Sequence, residues 1–189
     1  MRLFILISAL ALFSTDALAA NANGYKETLA LQGITFDVTS KGSGSLGKLH
    51  INLKGLKSKT APIVREIYGT VTGAEIADLN ADGSPEIYVY VTSAGSGSHG
   101  SVIAYAVNKK QSITEIIMPN LADDPKLGKG YMGHDEFSIV ENSLGRRFPI
   151  YLDGDSNAKP TGGMRQLEYQ LVPGEAGWLL KIKNQTDLK

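Results

Sequence analysis

Arg165-Gln166-Leu167-Glu168-Tyr169-Gln170-Leu171-Val172 and, after a Gly-containing break, Trp178-Leu179-Leu180-Lys181-Ile182-Lys183 set the period of this chain. In the first, Leu167, Tyr169 and Leu171 alternate with Gln166, Glu168 and Gln170; in the second, Trp178, Leu180 and Ile182 alternate with Leu179, Lys181 and Lys183. Successive strand side chains point to opposite faces, so this is the pattern of strands with one face on a core. Working outward, similar short runs occupy 29–38, 48–53, 63–72, 74–78, 86–92, 101–107, 113–118, 136–141 and 147–152, with Gly, Asn, Asp or Pro between them. Helical stripes are nearly absent. Short strands with a turn signal every eight to twelve residues or so predict an all-β fold, an antiparallel β-sandwich of roughly eight to eleven strands.

The first nineteen residues stand apart. Arg2, the apolar run Leu3 to Phe13 and the small residues of Ala17-Leu18-Ala19 read as a signal peptide cleaved after Ala19. At about 1.5 Å per residue the run is too short for roughly 30 Å of hydrocarbon, so no membrane anchor is expected. Residues 20–189 then form a single exported domain. The chain has 19 Lys plus Arg and 19 Asp plus Glu, and the leader takes one of each sign (Arg2 and Asp16), leaving 18 and 18. Without a basic excess there is no electrostatic case for nucleic acid or for an anionic membrane surface. The absence of Cys removes disulfides, thiol catalysis, thiolate zinc sites and iron–sulfur clusters. Export without a disulfide framework fits a bacterial periplasm.

If consecutive strands alternate direction from Glu86 onward, alternate connections share an end. The segments 94–100, 119–132 and 153–163 then meet at one end, and the tight turns near Lys109, Asn142 and Gly174 at the other. Gly- and Ser-rich loops on a rigid scaffold are where binding concentrates, so the first end is the candidate binding face.

Several motifs look chemical and fall short. Gly95-Ser96-Gly97-Ser98-His99-Gly100 satisfies G-x-G-x-x-G, but the following run 101–107 is a strand, leaving no helix N-terminus for a phosphate. What remains is a narrow, donor-rich hairpin without formal charge. Asp78-Leu79-Asn80-Ala81-Asp82-Gly83 begins like a calcium loop, yet Val89 stands where the closing bidentate Glu belongs. His50, His99 and His134 have no metal-ligand spacing, and no Ser occupies a G-x-S-x-G elbow. No catalytic residue, metal or cofactor is therefore expected. The alternative class is a calcium- or glycan-binding exported β-sandwich module.

Three segments, Gly95 to Asn108, Gly130 to Asn157 and Arg165 to Leu180, together resemble the periplasmic inhibitors of I-type (invertebrate) lysozyme, exported β-sandwich proteins of Gram-negative bacteria. The most specific part is Gly133-His134-Asp135-Glu136-Phe137-Ser138 followed by Arg146-Arg147-Phe148-Pro149-Ile150-Tyr151. The resemblance implies a non-enzymatic inhibitor that inserts a loop into the sugar-binding groove of an animal lysozyme, often as a homodimer. The family's Ser-Gly-x-Tyr motif falls on Ser96, Gly97, Ser98 and His99, with His99 in place of the expected aromatic hydroxyl. With Asp155 and Ser156 from the neighbouring loop, these are the candidate partner-binding residues. For His134 and Asp135 the expectation is a turn fixed by a side-chain-to-backbone bond; of Arg146 and Arg147, adjacent on a strand, only one can face inward.

Overall fold

A computed structural model describes residues 24–42 and 44–189; the predicted leader and its cleavage after Ala19 lie outside the described residues. Twelve strands follow in order: β1 Tyr25–Leu31, β2 Ile34–Lys41, β3 Gly47–Lys54, β4 Ile63–Ile67, β5 Thr70–Ala77, β6 Glu86–Thr92, β7 Gly100–Asn108, β8 Ser112–Ile117, β9 Glu136–Val140, β10 Ser143–Pro149, β11 Met164–Pro173 and β12 Trp178–Leu188. A single 3-10 turn, Leu121–Asp123, is the one helical element among the described residues. The all-β sandwich expected from the sequence is what the chain forms.

One sheet has the order β1-β2-β3-β4 and the other β5-β6-β7-β8-β12-β11-β10-β9. All pairs are antiparallel except β8 with β12, joined in parallel at Trp178↔Ile116 and Leu179↔Ile117. That exception follows from alternation itself, because three strands intervene and β8 and β12 run the same way. The second sheet curls until its edges meet: the Glu75 carboxylate on β5 accepts from the Ile139 amide on β9 (2.9 Å) and from the Tyr90 hydroxyl (2.5 Å), and Phe137 stacks on Tyr90 at 5.7 Å.

Strand β6 lies between two cores, which is why it is buried from Glu86 to Val91. Ile87, Val89 and Val91 pack with Phe36, Leu49 and Ile51 of the first sheet. Tyr88 and Tyr90 face the other way, among Leu144, Phe148, Leu167, Tyr169 and Leu180 inside the curled sheet. Val89 thus belongs to the sandwich core, and the Asp78 loop below β6 is closed by its own backbone. Asp78 accepts from the amides of Asp82 and Gly83 at 3.0 Å, and Asp82 from that of Ser84 at 2.8 Å.

Several boundaries differ from expectation, among them the last strand, which runs on past Lys183 to Leu188. The predicted strand 29–38 is two strands joined by Gln32-Gly33, both with positive φ, as a two-residue hairpin turn with the twist of its strands requires; the core-facing positions shift phase there, from Leu29 and Leu31 to Ile34, Phe36 and Val38. The break expected at Gly73 is a bulge between β5 and β6, and the real break is Gly69, whose Cβ would stand 2.2 Å from Thr92 O. The predicted 147–152 strand begins at Ser143, straight after a tight turn at Glu141-Asn142.

Glu86, fully buried on the inward face of β6, accepts from the Leu79 amide at 2.7 Å while its other oxygen has no partner. Burial, reinforced by Asp78 and Asp82, pushes its carboxyl up to about 8. An unfolded Glu titrates near 4.3. Between those values the native state holds a proton that the unfolded chain has released, so this contribution is fully present below about pH 4 and lost as pH rises through about 8. Urea unfolding at pH 8 is expected to show stability lower than at pH 5 by on the order of 1–3 kcal/mol. Glu86→Gln, which keeps an acceptor for Leu79, should flatten that difference.

Candidate functional site

The β6–β7 connection is a closed hairpin. Ser93 N–H donates to His99 O and His99 N–H to Ser93 Oγ, both at 2.9 Å; within the turn Ser98 N–H donates to Gly95 O at 2.9 Å. Ser98 takes a left-handed φ of 42°. The His99 ring folds over Gly97, where a Cβ would stand 2.5 Å from the imidazole, and meets Tyr131 edge-on at 5.6 Å.

Two further loops hold this hairpin by its carbonyls. His134 N–H donates to Gly97 O at 2.7 Å, and the Asn157 side-chain amide donates to Ser96 O. His134 and Asn157 are themselves in contact, Nε2 to Oδ1 at 3.2 Å, and the Tyr151 hydroxyl donates to Asn157 O at 2.9 Å. The long connections therefore do meet at one end, as strand alternation predicts.

Beneath them lies a buried polar cluster. Asp135 accepts from Arg146 Nε (2.7 Å), from the Tyr131 hydroxyl (2.6 Å) and from Gly100 N–H at the foot of the hairpin (2.7 Å). The two charged side chains are 6 % and 0 % exposed, and the guanidinium lies between the rings of Tyr131, Phe137 and Phe148 at 5.1–5.6 Å. Burial by itself would lower the Arg146 guanidinium, but the Asp135 charge and hydrogen bond outweigh it and raise it, keeping the cation. Burial, and then the bond to Asp135, pushes the Tyr131 hydroxyl up, so it stays a donor.

Of the predicted site residues, Ser96 and His99 are exposed and Gly97 and Ser98 half-buried. Ser156 is exposed nearby, bridged to Lys159. Asp155 reaches the same end but closes its own loop: it accepts from Leu152 N–H, Thr161 N–H and the Thr161 hydroxyl, each at 2.8 Å. These bonds, the one from Leu152 foremost, hold its carboxyl below the usual carboxylate range. The residue of that loop which touches the hairpin is Asn157. Asp135 makes the expected side-chain-to-backbone bond, though to another loop, and Arg146 is the inward member of its pair while Arg147 bonds Glu136 outside. The three imidazoles do not converge, since His50 sits in β3 between Thr39 and Val64. Among the described residues no three His, Cys, Asp or Glu side chains gather into a group that could hold a metal, and no helix is long and apolar enough to cross a membrane.

The join between loops leaves one position no freedom. Gly133 has φ +97°, and a Cβ there would stand 1.9 Å from Gly97 O. Gly133→Ala is expected to force the two loops apart, lowering stability by about 1–3 kcal/mol and speeding hydrogen exchange at the His134 amide.

A rigid β scaffold presenting one pinned, formally neutral hairpin has the build of a loop-presenting binding protein. Residues 52–125, from β3 through the hairpin to the loop after β8, match the family PliI, periplasmic lysozyme inhibitor of I-type lysozyme. The resemblance read from the sequence is thereby shown over that segment. The family is one of inhibitors, which points away from an enzyme, and it is periplasmic, which agrees with export. No curated protein matches the chain.

Proposed function

We propose that the chain inhibits I-type lysozyme by inserting hairpin 93–99 into the substrate groove and hydrogen-bonding the catalytic carboxylates. The observation that carries this reading is the pinned hairpin. Its Ser96 and Gly97 carbonyls are turned back onto Asn157 and His134, which leaves the exposed Ser96 and His99 side chains as outward-facing hydrogen-bonding groups. A retaining glycosidase keeps two carboxyl groups roughly 5 Å apart, and hydrogen bonds to ionised acceptors are the stronger kind. A neutral tip brings no unpaired charge into the groove. A tip already fixed in place gives up little conformational freedom on binding. No covalent step is involved. The PliI match supports the target class.

The reading includes cleavage after Ala19, a lysozyme of an animal host and a homodimeric form, checked by N-terminal sequencing and light scattering of the exported protein. The decisive measurement is turbidity of a cell-wall suspension with I-type, c-type and g-type lysozymes, each with and without the purified protein. Protection against the I-type enzyme is expected. Unimpeded lysis by I-type enzymes would sink the reading.

A further inference from the structure

Seven large apolar side chains are exposed among the described residues, and Tyr68, Met132 and Leu152 belong to the segments that run beside the hairpin or hold it. Tyr68, 75 % exposed, is the most exposed of the seven. It sits in the link between the two sheets, next to Gly69, which precedes the Thr70↔Thr92 pair at the start of β5. Gly69 is packed against Thr92 O and Ser93 Cα so closely that no side chain fits, which fixes Tyr68 beside the hairpin. Leu46 precedes Gly47, which pairs with Ile67 just before Tyr68. Met132 lies on another side, its carbonyl 3.0 Å from where a Gly97 Cβ would be. Leu152 belongs to the loop whose Asn157 holds Ser96 O.

Scattered apolar residues on a surface need no explanation, but three of them on the segments that flank one polar projection do. We infer that Tyr68, Met132 and Leu152 form an apolar collar that closes on the walls of the lysozyme groove once the hairpin tip is inside it. This rests on the inhibitor reading above and adds a second, chemically different contact to it. Hydrogen bonds strengthen where water is excluded, and apolar contacts around a polar centre do the excluding. The collar carries no charge, so it costs the carboxylate-bearing groove no like-charge repulsion. Its chemistry calls for apolar or aromatic side chains on the groove rim of the partner.

The test is calorimetric titration of a purified I-type lysozyme with the wild-type protein, with the triple variant Tyr68→Ser, Met132→Ser, Leu152→Ser, and with Val64→Ser as control. Val64 is also exposed, at 50 %, but lies within β4 opposite His50, away from the collar. All three changed collar residues are surface residues, so melting temperatures should stay together. The triple variant is expected to bind at least tenfold more weakly and with a less negative heat-capacity change, the mark of lost apolar burial; Val64→Ser should match wild type. Wild-type affinity and heat capacity in the triple variant, or an equal loss from Val64→Ser, would overturn the collar while leaving the inhibitor reading intact. A wild-type protein that binds no I-type lysozyme would overturn both.

Discussion

Arg146→Ala should lower the stability of the protein by about 3–5 kcal/mol, because it strips the partner from a carboxylate with no access to water. The Asp135 side chain is fully buried and accepts from Arg146, Tyr131 and Gly100; without the guanidinium it keeps two neutral donors and an uncompensated charge. Asp135→Ala should cost at least as much, since it leaves three donors without an acceptor, one of them a backbone amide. The two variants part in a second measurement. Only Asp135→Ala releases Gly100 N–H, so it should accelerate exchange at the hairpin foot beyond what its global stability accounts for. Urea titration gives the first quantity and native-state hydrogen exchange the second. An Arg146→Ala protein with wild-type stability would mean that the ion pair is worth no more than an exposed one.

The second large effect concerns binding. Ser96→Ala combined with His99→Ala should weaken inhibition of an I-type lysozyme five- to more than a hundredfold, about 1–3 kcal/mol, by leaving an enclosed carboxylate short of donors. Folding stability should move far less, by about 0.5–1 kcal/mol, the His99 share coming from its edge-on contact with Tyr131. His99→Tyr restores the aromatic hydroxyl that the family resemblance leads one to expect at this position, and should keep or improve inhibition. Wild-type inhibition by the double variant would exclude this hairpin as the contact.

The sheet was legible because its signals are local. Alternation in β11 and β12 and the buried run of β6 are properties of six to ten consecutive residues, and strand direction follows from counting, which is why the loops could be sorted by end. The two-residue turn at Gln32-Gly33 left only a one-residue slip in the alternation, between Leu31 and Ile34, and Gln-Gly is not one of the Asn-Gly or Asp-Gly pairs that mark such turns in a sequence. The Arg146–Asp135–Tyr131 cluster escaped for a different reason. Its members are 4 to 15 residues apart in sequence, and a charged residue in a strand reads as solvent-facing until the fold supplies the opposite charge beneath a loop. Asn157 escaped likewise: its role is a bond to a main-chain carbonyl 61 positions away, and nothing in its own neighbourhood marks it out from Asp155 or Ser156.

That the hairpin is held by the carbonyls of Ser96 and Gly97 bears on how such a protein changes over generations. Every amino acid carries a carbonyl, so replacing Ser96, Ser98 or His99 leaves both attachments intact. Gly97 is the exception, hemmed in by the His99 ring and Met132 O. Pose and chemistry are therefore inherited separately. The tip can change one side chain at a time without reopening the problem of how it is aimed.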